Sequence, residues 1–197
     1  LHNKEGLKVA VIVNDMSELD VDGELLGSTD MVEEDRRILE SIHSCVLSSK
    51  EGIQKLHQAI QKLFRHQDPE LLIIETSGSC HPMPLIEYFK DHEQVKLTGV
   101  FVLVDSLMLT HDFESGKTLI PRMQQNLSQS KRDTVNLLVE QIMFCSHLFL
   151  TKGDRIEAGQ LPSIASHLQP INPFASMHSV VFGKLKIESL FELQEYD

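Results

Sequence analysis

Leu148-Phe149-Leu150-Thr151-Lys152-Gly153-Asp154 is a short apolar run that ends abruptly in a polar tetrapeptide containing one glycine. Three further runs share its continuous aliphatic character: Val9 to Val13, Leu71 to Ile74 and Val100 to Val104. Continuous rather than alternating apolar residues suit strands covered on both faces, as parallel sheets require. A weaker fifth strand candidate covers Arg37 to Ile42, and a sixth lies around Pro170 to Asn172. Between these runs the spacing turns helical. Ile53, Leu56, Ile60, Leu63 and Phe64 recur at helix period behind a Ser48/Glu51 capping box. Val135, Leu138, Val139, Ile142 and Met143 form a second stripe, with Ser130 as its expected cap, and Leu85–Lys90 and Ala158–Leu168 read as shorter helices. Asp112 to Ser130 is the least patterned stretch and reads as a long loop. Strands alternating with helices predict an α/β fold: a mostly parallel sheet with helices on both faces and ligands beyond the carboxyl ends of the strands.

Composition narrows the classes of partner. At 197 residues the chain suffices for one full α/β domain. A net charge of −11 leaves no basic stripe for nucleic acid or an anionic membrane. Residues 15 to 40 carry ten carboxylates against Arg36 and Arg37, either a solvated acidic loop or a surface that concentrates cations. Three widely spaced cysteines, Cys45, Cys80 and Cys145, describe no disulfide framework and point to a reducing cytoplasm. No apolar run reaches the length of a membrane helix.

The chemistry is expected just after the apolar runs. Asp154, ionised, can accept two parallel hydrogen bonds from the N1 and N2 hydrogens of guanine, a donor pair that adenine lacks, while the Lys152 stem can lie along the base. A simple polar turn is the plain alternative for the same tetrapeptide. After Leu71–Ile74 come Glu75-Thr76-Ser77-Gly78. A carboxylate there suits a magnesium-bound water, and a glycine lets a backbone N–H approach a phosphate. A phosphate cradle of the form G-x-x-x-x-G-K-[ST] is not present in these residues. Gly116-Lys117-Thr118 fails because His111 stands where the opening glycine belongs and no helix pattern begins there. His43 and Cys45, two apart, can face one metal ion of the zinc type, or form an incidental loop pair; Cys80-His81 invites the same question. Cys145, beside an apolar stripe, reads as core packing.

In order along the chain, these segments resemble the CobW family of metal-handling GTPases, relatives of HypB and UreG. The resemblance begins at Lys8-Val-Ala-Val-Ile-Val-Asn-Asp15 and continues through Glu18 and Asp20-Val-Asp22-Gly-Glu-Leu-Leu26. It resumes at Ile74-Glu75-Thr76-Ser77-Gly78, Pro82 and Pro84, Val104-Asp105, Gln141-Ile142, Thr151-Lys152-Gly153-Asp154 and Ile171-Asn172-Pro173-Phe174-Ala175. It implies a P-loop GTPase-like fold over residues 1–197, with the family's P-loop helix before the Lys8 strand and its smaller C-terminal domain after Asp197. It also implies GTP and Mg2+, with Zn2+ or cobalt as transferred metal, a client metalloprotein, and possible self-association into a homo-oligomer. By the same resemblance Thr151, Lys152, Asp154 and the backbone N–H of Ala175 serve the base, and Glu75 and Gly78 the γ-phosphate and magnesium. Asp15, Glu18, His43 and Cys45 would serve the metal. Where the family has C-x-C-C, this chain has Ile42-His43-Ser44-Cys45-Val46, which keeps one thiolate. Two other readings follow from the same residues: a degenerate, non-catalytic G domain used for protein binding or nucleotide sensing, and an unrelated doubly wound enzyme.

Overall fold

The computed structural model describes residues 8–15, 39–66, 68–184 and Tyr196, and structural statements refer to these. The chain divides into two compact units, residues 1–80 and 81–197.

In the first unit, β1 (Val9–Asp15), β2 (Leu39–His43), α1 (Lys50–His66) and β3 (Leu71–Glu75) follow in order. The strands are parallel, in the order β2-β1-β3. The central strand carries the most apolar run, and Ala10 to Val13 are buried. Leu56, Ala59, Ile60 and Leu63 of α1 are buried at helical spacing, so the predicted stripe is the packed face. The helix begins one residue later than its expected cap: Ser49, not Ser48, accepts the Gly52 N–H at 2.9 Å. Gly52 meets the preceding loop at close range. A Cβ there would stand 2.2 Å from the Val46 carbonyl oxygen and 2.6 Å from Leu47 Cα.

In the second unit, α2 (Pro82–Lys90), β4 (Phe101–Asp105), α3 (Ser106–Phe113), α4 (Leu119–Ser128) and α5 (Thr134–Met143) lead to β5 (His147–Thr151). A 3-10 turn at Gly153–Arg155, α6 (Gln160–Leu168) and β6 (Ser176–Val180) follow. The sheet is parallel in the order β4-β5-β6. Val104, Leu148 and Leu150 face a core closed by Leu109, Phe113, Leu119, Val139, Ile142, Ile164 and Leu168 from α3 to α6. On the opposite face of the strands His147, Phe149 and His178 stack, with ring centroids 5.5 Å apart for the two histidines and 5.2 Å for Phe149 and His178.

Three sequence expectations change here. The sixth strand is Ser176–Val180, while Pro170 to Asn172 form the turn after α6. Residues 112–130 are mostly helical: α3 runs to Phe113, a turn passes through Gly116 at φ 95°, and α4 begins at Leu119. A helix therefore does follow Gly116-Lys117-Thr118, but the turn leaves a helix rather than a strand. A Cβ at its glycine would stand 3.3 Å from the Leu168 side chain. The cap of α5 is Asp133, which accepts from Val135 N while Asn136 accepts from Asp133 N; Ser130 lies in the turn before it. No helix among the described residues is long and apolar enough to cross a membrane. All three cysteines are free and buried.

Candidate functional site

In the second unit the candidate residues gather at the carboxyl ends of β4, β5 and β6. Thr151 closes β5 opposite Asp105 of β4 and Val180 of β6. Its Oγ1 donates to the Val104 carbonyl at 3.1 Å. Lys152 then turns the chain with φ 55°, the left-handed region, which a side-chain-bearing residue occupies at some cost. Its ammonium reaches Asp105 Oδ2 at 2.5 Å. The other oxygen of Asp105 caps α3, accepting from Leu107 N at 2.9 Å and Met108 N at 3.2 Å. Burial pushes the Asp105 carboxyl up, but the Lys152 ammonium and the two backbone N–H groups more than offset it, so the acid is held below its ordinary range.

Gly153 packs against the α6 side and β6: a Cβ there would lie 3.0 Å from Leu161 Cδ1 and 3.5 Å from Ser179 Oγ. The third position of the tetrapeptide is therefore short of space for a larger residue. Asp154 follows in the 3-10 turn, exposed, with no ion pair among the described residues. A carboxylate so placed has its acceptor capacity available.

Ala175 requires a correction. It precedes β6, at the level of Ser146, because Ser176 is registered with His147 and Ser176 N donates to Ser146 O at 2.9 Å. Five residues of parallel strand, roughly 16 Å, separate that level from Thr151. Its N–H is also engaged, donating to Asn172 Oδ1 at 3.1 Å. Asn172 is a buried hub: Nδ2 donates to the carbonyls of Ile142, Met143 and Cys145 at 2.8–3.0 Å, and Oδ1 accepts from Phe174 and Ala175. The resemblance to an ordered set of motifs had placed Ala175 by sequence order; the strand register places it at the other end. What β6 carries to the Asp154 end is the turn Val181–Lys184, with Phe182 at φ 51° and 81% exposed. An exposed phenylalanine next to glycine was the missed signal.

In the first unit the carboxyl ends of the strands bring Asp15 opposite His43, and Glu75 opposite Val13 of the same strand as Asp15. Glu75 is exposed, with no ion pair among the described residues. At Gly78, no described atom comes within 4 Å of where a Cβ would stand. Glu18 lies outside the described residues. Cys45 is buried, and Asn14 Nδ2 ties down its loop by donating to the carbonyls of Ile42 at 3.0 Å and Cys45 at 2.9 Å. Lys55 stands over the same loop. Its ammonium reaches Glu51 at 2.9 Å and the His43 carbonyl at 3.3 Å, and it is held above its ordinary value first by Glu51, against burial, and then by neighbouring Cys45. Among the described residues no group of three or more His, Cys, Asp or Glu side chains gathers as a metal site. Burial pushes the Cys80 thiol up, only partly opposed by Ser48 and Thr76. His81 bonds Glu140 at 3.0 Å.

Residues 1–179 match the family model described as CobW/HypB/UreG, nucleotide-binding domain. The chain is 29% identical over 194 residues to zinc-regulated GTPase metalloprotein activator 1 of Dictyostelium discoideum, covering 90% of this chain and 40% of that protein. It is 26% identical over 200 residues to zinc chaperone YjiA of Escherichia coli (strain K12), covering 97% of this chain and 54% of the relative. The chain thus spans about half, or less, of the length of these relatives. A solved Zn(II)-bound triple mutant of YjiA GTPase superposes with a TM-score of 0.56 at 22% identity, over 93% of this chain and 52% of that one. That likeness shows a shared fold.

Proposed function

Because the chain belongs to the CobW/HypB/UreG nucleotide-binding-domain family, we propose that it is the guanine-nucleotide-binding part of a GTPase that couples nucleotide state to delivery of a transition metal. The observation that carries the reading is the tetrapeptide at the carboxyl end of β5: Thr151 and Lys152 are tied to β4, Gly153 is packed on β6, and Asp154 is left exposed. A carboxylate fixed in that way suits the paired N–H edge of guanine. Phe182 adds an exposed apolar ring at the same end of the sheet.

Glu75 and Gly78 take the γ-phosphate end of GTP in this reading. Glu75 would hold magnesium through a water, and the backbone N–H of Gly78 would approach a phosphate oxygen. Bound magnesium supplies neutralisation of the charge that develops on the transferring phosphoryl group. Zinc or cobalt is the cargo, and a client metalloprotein is its recipient. His43 and Cys45 offer one imidazole and one thiolate; Asp15 and Glu18 are the proposed carboxylate neighbours. A change of nucleotide state would change their availability.

The test is nucleotide selectivity in the longest natural protein that contains this chain. It will bind GTP much more tightly than ATP, and Asp154→Ala will lose about 1.5–3 kcal/mol of GTP affinity. Equal affinity for both nucleotides sinks the assignment.

One observation favours a second reading, a partner-binding domain without metal transfer: the Lys55 ammonium donates to the His43 carbonyl and adds positive charge close to Cys45, beside two of the proposed metal ligands. Zinc titration of the wild type against a His43→Ala, Cys45→Ser double variant, with magnesium present, separates the two. Identical affinity and stoichiometry favour the second.

A further inference from the structure

The carboxylate of Asp105 is used twice, and the two uses belong to different elements. Oδ1 accepts two backbone N–H groups at the start of α3, at 2.9 and 3.2 Å. A carboxylate held by two such bonds has little rotamer freedom left. Oδ2 therefore stands at a defined point at the end of β4, and Lys152 Nζ meets it at 2.5 Å. Asp105 and Thr151 are registered partners, so the link joins the last residue of β4 to the first residue after β5. The backbone at Lys152 needs such a link. It turns at φ 55° without being glycine, and its side chain is about half exposed, so solvent alone would not hold it in one pose. The Thr151 hydroxyl supplies a second tie to the same strand, at the Val104 carbonyl.

We propose that Asp105 is a positioning residue for guanine recognition: by anchoring the Lys152 ammonium it fixes the stem of Lys152 and the turn that presents Asp154. This rests on the reading of Thr151–Asp154 as the base-recognition loop. Asp105 touches no part of the nucleotide in this role; it acts through Lys152. The substitution Asp105→Asn separates its two duties. The amide keeps an oxygen for the α3 cap but presents the ammonium with no charge.

The experiment is a double-mutant cycle on GDP affinity, in the longest natural protein that contains this chain, with thermal midpoints measured alongside. Asp105→Asn will weaken GDP binding roughly ten-fold, the scale of one charge-assisted hydrogen bond. In a Lys152→Met background the same substitution will change affinity less than about two-fold, because its effect passes through the lysine. Asp105→Ser, which also keeps a cap, serves as the second variant should Asp105→Asn fold poorly. An equal loss in both backgrounds assigns Asp105 a structural role only and overturns the proposal, as does unchanged affinity in Asp105→Asn. Asp154→Ala distinguishes the underlying reading: if it too leaves GDP affinity unchanged, the base-recognition assignment fails and the proposal falls with it. If Asp154→Ala weakens binding and Asp105→Asn does not, the proposal alone is wrong.

Discussion

Asn14 and Asn172 close the same kind of corner, one in each unit. Each gathers backbone carbonyls from a reversal that ends in cysteine, Cys45 for the first and Cys145 for the second. Single side chains of this type satisfy several buried polar groups that secondary structure leaves over. Beside Asn172 the Cys145 thiol is buried, and burial pushes its pKa from 9.0 up to about 11, with Asn172 opposing only in part. The sign follows from which state holds the proton longer. The unfolded thiol ionises near pH 9 and the folded one near 11, so the contribution is complete below pH 9 and lost as pH rises through 11. The stability advantage of wild type over Cys145→Ala will therefore shrink by roughly 2–3 kcal/mol between about pH 9 and pH 11. Urea unfolding across that range measures it; a constant gap would mean the thiol is not protonated by folding.

At the scale of elements, α1 and the loop before it are fitted through Gly52. The loop backbone occupies the space of a side chain, so Gly52→Ala must push Val46 and Leu47 aside. Alanine gains about 1 kcal/mol of helix propensity, but overpacking against backbone costs more. We expect a net loss of about 1–3 kcal/mol, read as a lower urea midpoint with an unchanged slope. A stabilised variant would show that the loop yields freely. The elements legible in the sequence were those with one strong periodicity. The continuous runs at β1, β3, β4 and β5 and the stripes of α1 and α5 became strands and helices close to where their patterns lay. β6 was not legible, because Ser-Met-His-Ser-Val has few aliphatic residues and buries only Val180 fully. α4 was hidden by Pro121 and a polar run. The tetrapeptide proposed for base recognition stood out in the sequence because its spacing is local. The Lys152–Asp105 pair did not, since its partners lie 47 residues apart and meet only through strand register.

At the scale of the whole chain, the 197 residues contain the motifs proposed for the base and for the γ-phosphate but no sequence of the form G-x-x-x-x-G-K-[ST]. Phosphoryl transfer depends chiefly on positioning and charge neutralisation at the β- and γ-phosphates, which that loop and its lysine provide. The 197 residues alone will therefore show no steady-state release of phosphate from GTP; a robust turnover rate would mean that another segment cradles the phosphates. The position of Asn172 has a consequence for the age of the molecule rather than its activity. Asparagine decays by deamidation when the next residue's backbone nitrogen attacks the side-chain amide and closes a succinimide ring. The next residue here is Pro173, which has no N–H to give. The alternative, attack by the side-chain nitrogen on its own carbonyl with chain cleavage, is opposed because that nitrogen is engaged with three carbonyls. The side chain that joins α5, β5 and β6 at one end of the sheet is thereby shielded from the chemical wear that makes asparagine a poor choice for a long-lived joint.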